Sequence, residues 1–171
     1  MRSLIYGYGD TGKSFERYLD KKKYDYEIFD TNISQYNLNY DFQDFDQILC
    51  SPGIPKDIFE NIKTQNNNVF TDVDIFFNED RSIKIGITGT NRKSTTAFHL
   101  HQLFKKYKPS NLVGNIGNTM LDYINNGKKF SIIELSSFQL DKMDHNRLDY
   151  GILINIEEDH LDYHGNFKSY K

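Results

Sequence analysis

Short apolar runs alternate with longer, mixed stretches along the first half of the chain, and this rhythm predicts strands alternating with helices. Ser3–Tyr6, Tyr26–Phe29 and Gln47–Cys50 read as strands, with helices over Gly12–Leu19 and Lys56–Lys63. Strand–helix–strand order of this kind calls for a parallel sheet covered by helices. Asn66–Asn68 reads as a turn, and the character of the chain changes at Phe76–Arg81. A new apolar run, Ile83–Ile87, then leads through a glycine-containing turn into a helix expected over Lys93–Tyr107. Further strands are expected at Asn111–Val113, Phe130–Leu135 and Tyr150–Ile156. Two α/β domains result, spanning residues 1–79 and 80–171. The second has few strands and stops after a polar loop, so it reads as the first part of a larger domain.

Composition narrows the class. The 21 Lys and Arg residues face 24 Asp and Glu, a net charge of −3. That balance argues against nucleic acid as a partner. No apolar run approaches the roughly 18 residues of a membrane span, and MRSLIYGYGD lacks the apolar core of a signal peptide. Cys50 stands alone and has no internal disulfide partner, which suits a reducing cytosol. Thirteen Phe and 12 Tyr supply a core without any Trp. The expectation is a soluble cytoplasmic chain. Frequent Asn, Lys, Tyr and Phe beside a single Ala (Ala97) read as a bias of the coding genome.

Four segments carry candidate chemistry. Gly7-Tyr8-Gly9-Asp10-Thr11-Gly12 follows the first strand and opens a helix. Glycines there let the backbone turn and approach a pyrophosphate, and the helix N-terminus favours its charge. Asp30 closes the second strand about 20 residues on, where a ribose or base contact is expected. NAD and a UDP-sugar both fit this pattern, and so does a tight turn with no ligand.

Gly86-Ile87-Thr88-Gly89-Thr90-Asn91-Arg92-Lys93-Ser94-Thr95-Thr96 lies between a strand and a helix, as a phosphate-binding loop does. Its backbone N–H groups would cradle phosphates, Lys93 would reach the β/γ oxygens and the Ser94 hydroxyl would ligate Mg²⁺. Two positions depart from G-x-x-x-x-G-K-[ST]. Ile87 stands at the first glycine, and Arg92 replaces the glycine before the lysine. A side chain at 92 crowds the nucleotide or bends the loop, although its charge suits phosphate.

Glu134-Leu135-Ser136-Ser137-Phe138-Gln139-Leu140 ends the strand at Phe130–Leu135. A carboxylate at the C-terminal end of a parallel strand beside a phosphate loop is well placed for Mg²⁺. Asn155-Ile156-Glu157-Glu158-Asp159-His160-Leu161-Asp162-Tyr163-His164-Gly165 follows a further strand. Asp159 and His160 there are candidates for a second metal or the substrate, and His164 reads as part of a solvated loop.

In this order the four segments resemble the Mur ligases of peptidoglycan synthesis. GTN-x-K-[ST]-T-T, Asn115-Ile116-Gly117 and N-x-x-x-D-H-L-D resemble patterns shared across that family. ELSSFQL, GYGDTGKS, Asp30-Thr31, Ser51-Pro52-Gly53-Ile54-Pro55 and Asp72-Val73-Asp74-Ile75-Phe76 are most similar to the branch that adds D-glutamate to UDP-N-acetylmuramoyl-L-alanine. The resemblance implies a Rossmann-like parallel-sheet domain followed by an incomplete P-loop α/β central domain. It implies ATP-dependent amide ligation, with ATP and Mg²⁺ as cofactors, through an acyl phosphate and a tetrahedral intermediate. By the same resemblance, Gly9, Asp10, Thr11, Asp30, Thr31, Ser51 and Gly53 hold the UDP portion, and Asn115 and Ser136 contact the sugar-peptide part. Gly89, Thr90, Asn91, Arg92, Lys93, Ser94 and Thr95 bind ATP. Lys93 and His160 are catalytic, while Ser94, Glu134 and His160 hold metal.

The resemblance also implies that the family's carbamylated lysine falls a few positions past Tyr170, and that a D-glutamate-binding domain lies further on. The expected state is therefore an amino-terminal piece, monomeric when complete, that binds the UDP substrate without completing ligation. Two alternatives are a Mur-type ligase of different amino-acid specificity and a non-catalytic nucleotide-binding module. A nicotinamide dehydrogenase would explain the first glycine motif and leave the other three segments unexplained.

Overall fold

Ser3, Leu4 and Ile5 are fully buried because β1 (Arg2–Tyr6) has a neighbour on each side. In this computed structural model, which describes residues 1–116, 118–144 and 147–171, the chain divides into units Met1–Ile75 and Phe76–Lys171. In the first unit β1 lies between β2 (Asp25–Phe29) and β3 (Gln47–Cys50), with β4 (Val69–Phe70) beyond β3. Every pairing is parallel, so the loops that leave the strands open at one end of the sheet.

Helices cover this sheet through apolar residues one turn apart. α1 (Asp10–Lys22) buries Phe15 and Leu19, and α2 (Lys56–Gln65) buries Phe59 and Ile62. Each such side chain contributes roughly 1.5–3 kcal/mol through removal from water. α1 is longer at both ends than its apolar spacing predicts. Asp10 in its first turn and Lys21 and Lys22 in its last complement the helix dipole, and left-handed Lys23 stops it.

The two elements immediately after α2 lie outside the sequence expectation. β4 has only two residues, too few for an alternation to register. The turn expected at Asn66–Asn68 is the loop that leads into it, held by Asn66 donating to the Phe42 and Phe45 carbonyls. α3 (Asp72–Glu79) takes in the segment whose character changes at Phe76. Its start is specified by a capping box, in which the Asp74 amide donates to the Thr71 hydroxyl while Asp74 Oδ2 accepts from the Thr71 amide and hydroxyl.

In the second unit β5 (Ile83–Thr88) lies between β7 (Phe130–Glu134) and β8 (Tyr150–Leu153), and β6 (Ser110–Gly114) lies outside β7. These pairings are also parallel. α4 (Lys93–Lys105) packs across β5, β6 and β7. Ala97, fully buried against Ile87 and Ile132, lets the helix approach the sheet closely. Three short helices follow the strands: α5 (Ser137–Lys142), α6 (Leu161–His164) and α7 (Phe167–Tyr170). The expected strand over Tyr150–Ile156 ends at Leu153. The Ile154 amide still donates to the Thr88 carbonyl, but Asn155 then bends away toward the loop after β5. Among the described residues no helix is long and apolar enough to cross a membrane.

Asp72 opens α3 at 5% exposure, and its Oδ1 has no partner among the described residues. Burial, reinforced by the nearby Asp74 charge and opposed by the Val73 and Asp72 amides, raises its pKa from 3.8 to about 7. The folded state thus holds this proton more tightly than the unfolded chain. The contribution of Asp72 to stability is largest below the unfolded value and declines as pH rises between the two values. Urea unfolding should show that Asp72→Asn flattens this slope and stabilises the chain at pH 8 by at least about 1 kcal/mol. An unchanged slope would remove Asp72 as its source.

Candidate functional site

Each unit opens a cavity at the C-terminal ends of its strands, where the order of connections reverses and ligands of open α/β sheets bind. In the first unit the cavity measures about 510 Å3 and is lined by the loops after β1, β2 and β3. It brings together Gly9, Asp10, Thr11, Asp30, Thr31, Ser51 and Gly53, seven positions singled out from the sequence. Phe29, Ile54 and Ile58 give it an apolar wall.

The glycine loop owes its shape to close approach. A Cβ on Gly12 would stand 2.3 Å from the Gly7 carbonyl oxygen, so only glycine lets α1 start this near β1. Ser51 donates its hydroxyl to the same carbonyl at 2.7 Å, tying the loop after β3 to the loop after β1. Asp30 accepts from the Tyr8 amide at 2.7 Å on one oxygen and from the Asn32 amide at 2.8 Å on the other. In this state Asp30 therefore shapes the loop as well as facing the cavity. Tyr8 donates its hydroxyl to Glu16, and that bond, with burial, raises the phenol's pKa to about 12.

The second cavity measures about 350 Å3 and draws on the loops after all four strands of its sheet. Gly89, Lys93, Asn115, Ser136 and His160 line it, while Thr90, Asn91, Arg92, Ser94, Thr95 and Glu134 lie outside its lining. Gly89 has φ +147°, and a Cβ there would meet the Asn155 backbone at 3.0 Å. Arg92 adopts φ 67°, ψ 15° immediately before α4, and no side chain among the described residues caps the helix. The first-turn N–H groups of α4 are thereby available to an anion. Lys93 Nζ donates to the Gly89 and Thr90 carbonyls at 2.7 and 2.9 Å. These two bonds hold the ammonium against carbonyls of its own loop.

Glu134 is 1% exposed at the end of β7. Its Oε1 accepts from Asn115 Nδ2 at 3.0 Å, and Oε2 has no partner among the described residues. In register, Glu134 lies beside Ile87, two residues before Gly89. A buried carboxylate oxygen without a donor is costly unless a cation meets it, and Mg²⁺ is commonly held by one or two carboxylates together with substrate phosphates. The residues therefore fit the ion. His160, left-handed at φ 50°, sits at the start of α6 with its ring 4.7 Å from Phe138 and Nε2 3.6 Å from Asp159 Oδ2. Among the described residues no three His, Cys, Asp or Glu side chains converge on a metal position. Ser136 caps α5 in a reciprocal pair with Gln139. Gly117, part of one sequence motif, lies outside the described residues.

Sequence reasoning assigned no role to Asn155, although the loop containing it was noted; its side chain pairs with the backbone of Asn91. An asparagine just past the end of a strand, where the chain must turn, was the available signal.

Residues 87–171 match the model of the Mur ligase middle domain. UDP-N-acetylmuramoylalanine–D-glutamate ligase of Francisella tularensis subsp. novicida is 38% identical over 98% of this chain and 42% of its own length. The enzyme of the same name from subsp. tularensis is 37% identical over the same shares. The chain belongs to the Mur ligase family. It spans about two fifths of the length of these curated relatives. Two solved Mur ligases share its fold. One is UDP-N-acetylmuramate:L-alanyl-γ-D-glutamyl-meso-diaminopimelate ligase of Neisseria meningitides, with TM-score 0.59 and 15% identity over 99% of this chain and 64% of that one. The other is UDP-N-acetylmuramate-alanine ligase of Thermotoga maritima, with TM-score 0.54 and 17% identity over 99% and 45%.

Arg92 is the position where this Mur ligase chain carries a cost on its own loop. A left-handed conformation costs a non-glycine residue roughly 1–2 kcal/mol, part of which glycine gives back through its freer unfolded state. Arg92→Gly should therefore stabilise the chain by up to about 1 kcal/mol in urea unfolding. Destabilisation would show that the guanidinium makes a compensating contact.

Proposed function

We propose that the chain carries the UDP-substrate and ATP sites of a ligase that joins D-glutamate to UDP-N-acetylmuramoyl-L-alanine in the cytoplasm, in the building of peptidoglycan precursors. The observation that carries this reading is Glu134, a buried carboxylate with one unpartnered oxygen at the end of the strand beside the phosphate loop. Such a group suits Mg²⁺ escorting a nucleoside triphosphate. The glycine loop and polar rim of the first cavity suit a UDP-sugar.

In this reading Gly9, Asp10, Thr11, Thr31, Ser51 and Gly53 orient the UDP portion, with Asp30 holding the glycine loop in shape for it. Asn115 and Ser136 face the sugar-peptide end. Residues Gly89–Thr95 form the loop that meets ATP, and Lys93 turns from loop carbonyls to phosphate oxygens. There it offsets the charge that builds as the alanyl carboxylate takes up the γ-phosphoryl group and ADP departs. Ser94 and Glu134 would hold one Mg²⁺ and His160 a second; bound magnesium supplies neutralisation of the phosphate oxygens. Residues that bind D-glutamate are not assigned to this chain.

Calorimetric titration with UDP-N-acetylmuramoyl-L-alanine, with NAD and Mg-ATP in parallel, tests the reading. Saturable binding of the UDP compound and of Mg-ATP, each with its own site and without NAD binding, is expected. Glu134→Gln should leave UDP-compound binding intact and weaken ATP binding only when Mg²⁺ is present. Binding of NAD in place of the UDP compound would overturn the first-unit assignment.

A further inference from the structure

One side chain from the loop after β8 satisfies both backbone groups of a residue in the phosphate loop. Asn155 Oδ1 accepts from the Asn91 amide at 2.8 Å, and Asn155 Nδ2 donates to the Asn91 carbonyl at 3.1 Å. The Asn155 carbonyl also accepts from the Thr90 amide at 3.1 Å. Two residues later Glu157 continues the seam. Its amide donates to Thr90 Oγ1 at 2.9 Å, and its carboxylate accepts from Asn91 Nδ2 at 3.0 Å. Three consecutive positions on the phosphate loop, Gly89 through Asn91, thus run against the Asn155 backbone or side chain, and a Cβ on Gly89 would not fit between them.

We propose that Asn155 is the positioning residue of the phosphate loop. This rests on reading Gly86–Thr95 as the ATP loop. Two consequences follow from the geometry. The Asn91 amide is spent on Asn155, so it is not one of the groups that receive phosphate; the cradle begins at Arg92 and the first turn of α4. Asn91, the residue immediately before left-handed Arg92, is held through both its amide and its carbonyl, which supports a conformation that arginine itself disfavours. Asn155 touches no reacting atom in this account. It acts by keeping the first-turn N–H groups of α4 aimed at the position of the anion.

Amide hydrogen exchange by NMR on the intact chain separates this from a general structural role. In the free protein the Asn91 amide should already be protected, and Mg-ATP should leave its rate unchanged within about threefold while the Lys93 and Ser94 amides slow. Asn155→Ala should speed exchange at Asn91 at least about tenfold and weaken Mg-ATP binding about tenfold, the size expected for two lost hydrogen bonds. Binding of UDP-N-acetylmuramoyl-L-alanine should not change. An Asn91 amide that exchanges freely in the wild-type chain, or that becomes protected only with nucleotide, overturns the proposal. So does an alanine variant that exchanges faster yet binds Mg-ATP as tightly as the parent. If the wild-type chain binds no Mg-ATP, the ATP-loop reading fails and with it the aiming role, while the exchange rates at Asn91 still decide whether Asn155 clamps the loop. If Asn155→Ala does not fold, the wild-type comparison with and without Mg-ATP decides alone.

Discussion

Pairing of β7 between β5 and β6 is the interaction on which the second site depends. It sets Glu134 level with Ile87 on one side and Gly114 on the other, so a buried carboxylate ends its strand beside the start of the phosphate loop and beside Asn115. A slip of one residue would turn Glu134 to the opposite face of the sheet and separate it from both. Burial of Ile132 and Ile133 on the two faces holds that register. The apolar core thereby places a charge that the core itself cannot stabilise. The loop after β5 is in turn shaped by the loop after β8, through Asn155, and not by its own glycines alone.

The first unit solves a similar problem with less charge. Its parallel strands bring three loops to one end, and hydrogen bonds between loops, from Ser51 to Gly7 and from Tyr8 to Asp30, preform the cavity before any ligand arrives. Preformation lowers the ordering cost of binding. The second unit keeps its lysine bonded to carbonyls of its own loop.

Strands and helices with strong apolar patterns were legible in the sequence. Gln47–Cys50 is a strand over the stretch its apolar run marks, and seven residues chosen from motifs share the first cavity. What escaped was set by tertiary contact. β4 is two residues long and is defined by its pairing with β3, and α3 begins at a Thr–Asp capping box hidden among other acidic residues. The strand ending at Leu153 was overextended because Ile154 and Ile156 prolong the apolar pattern after the backbone has turned toward the phosphate loop. Arg92 reads in the sequence as a lost glycine. Its left-handed backbone shows that the loop keeps the glycine-type conformation and carries the strain.

The central claim is that two nucleotide-type sites occupy separate units of one chain. Amide chemical-shift mapping tests it most directly, with UDP and Mg-ADP added in turn to the isotopically labelled protein. The account predicts that UDP moves residues in Gly7–Thr11, Asp30–Asn32 and Ser51–Ile54 and leaves Gly86–Thr95 unmoved, and that Mg-ADP does the reverse. Shifts from both ligands in the same segment, or Mg-ADP shifts confined to the first glycine loop, would contradict it.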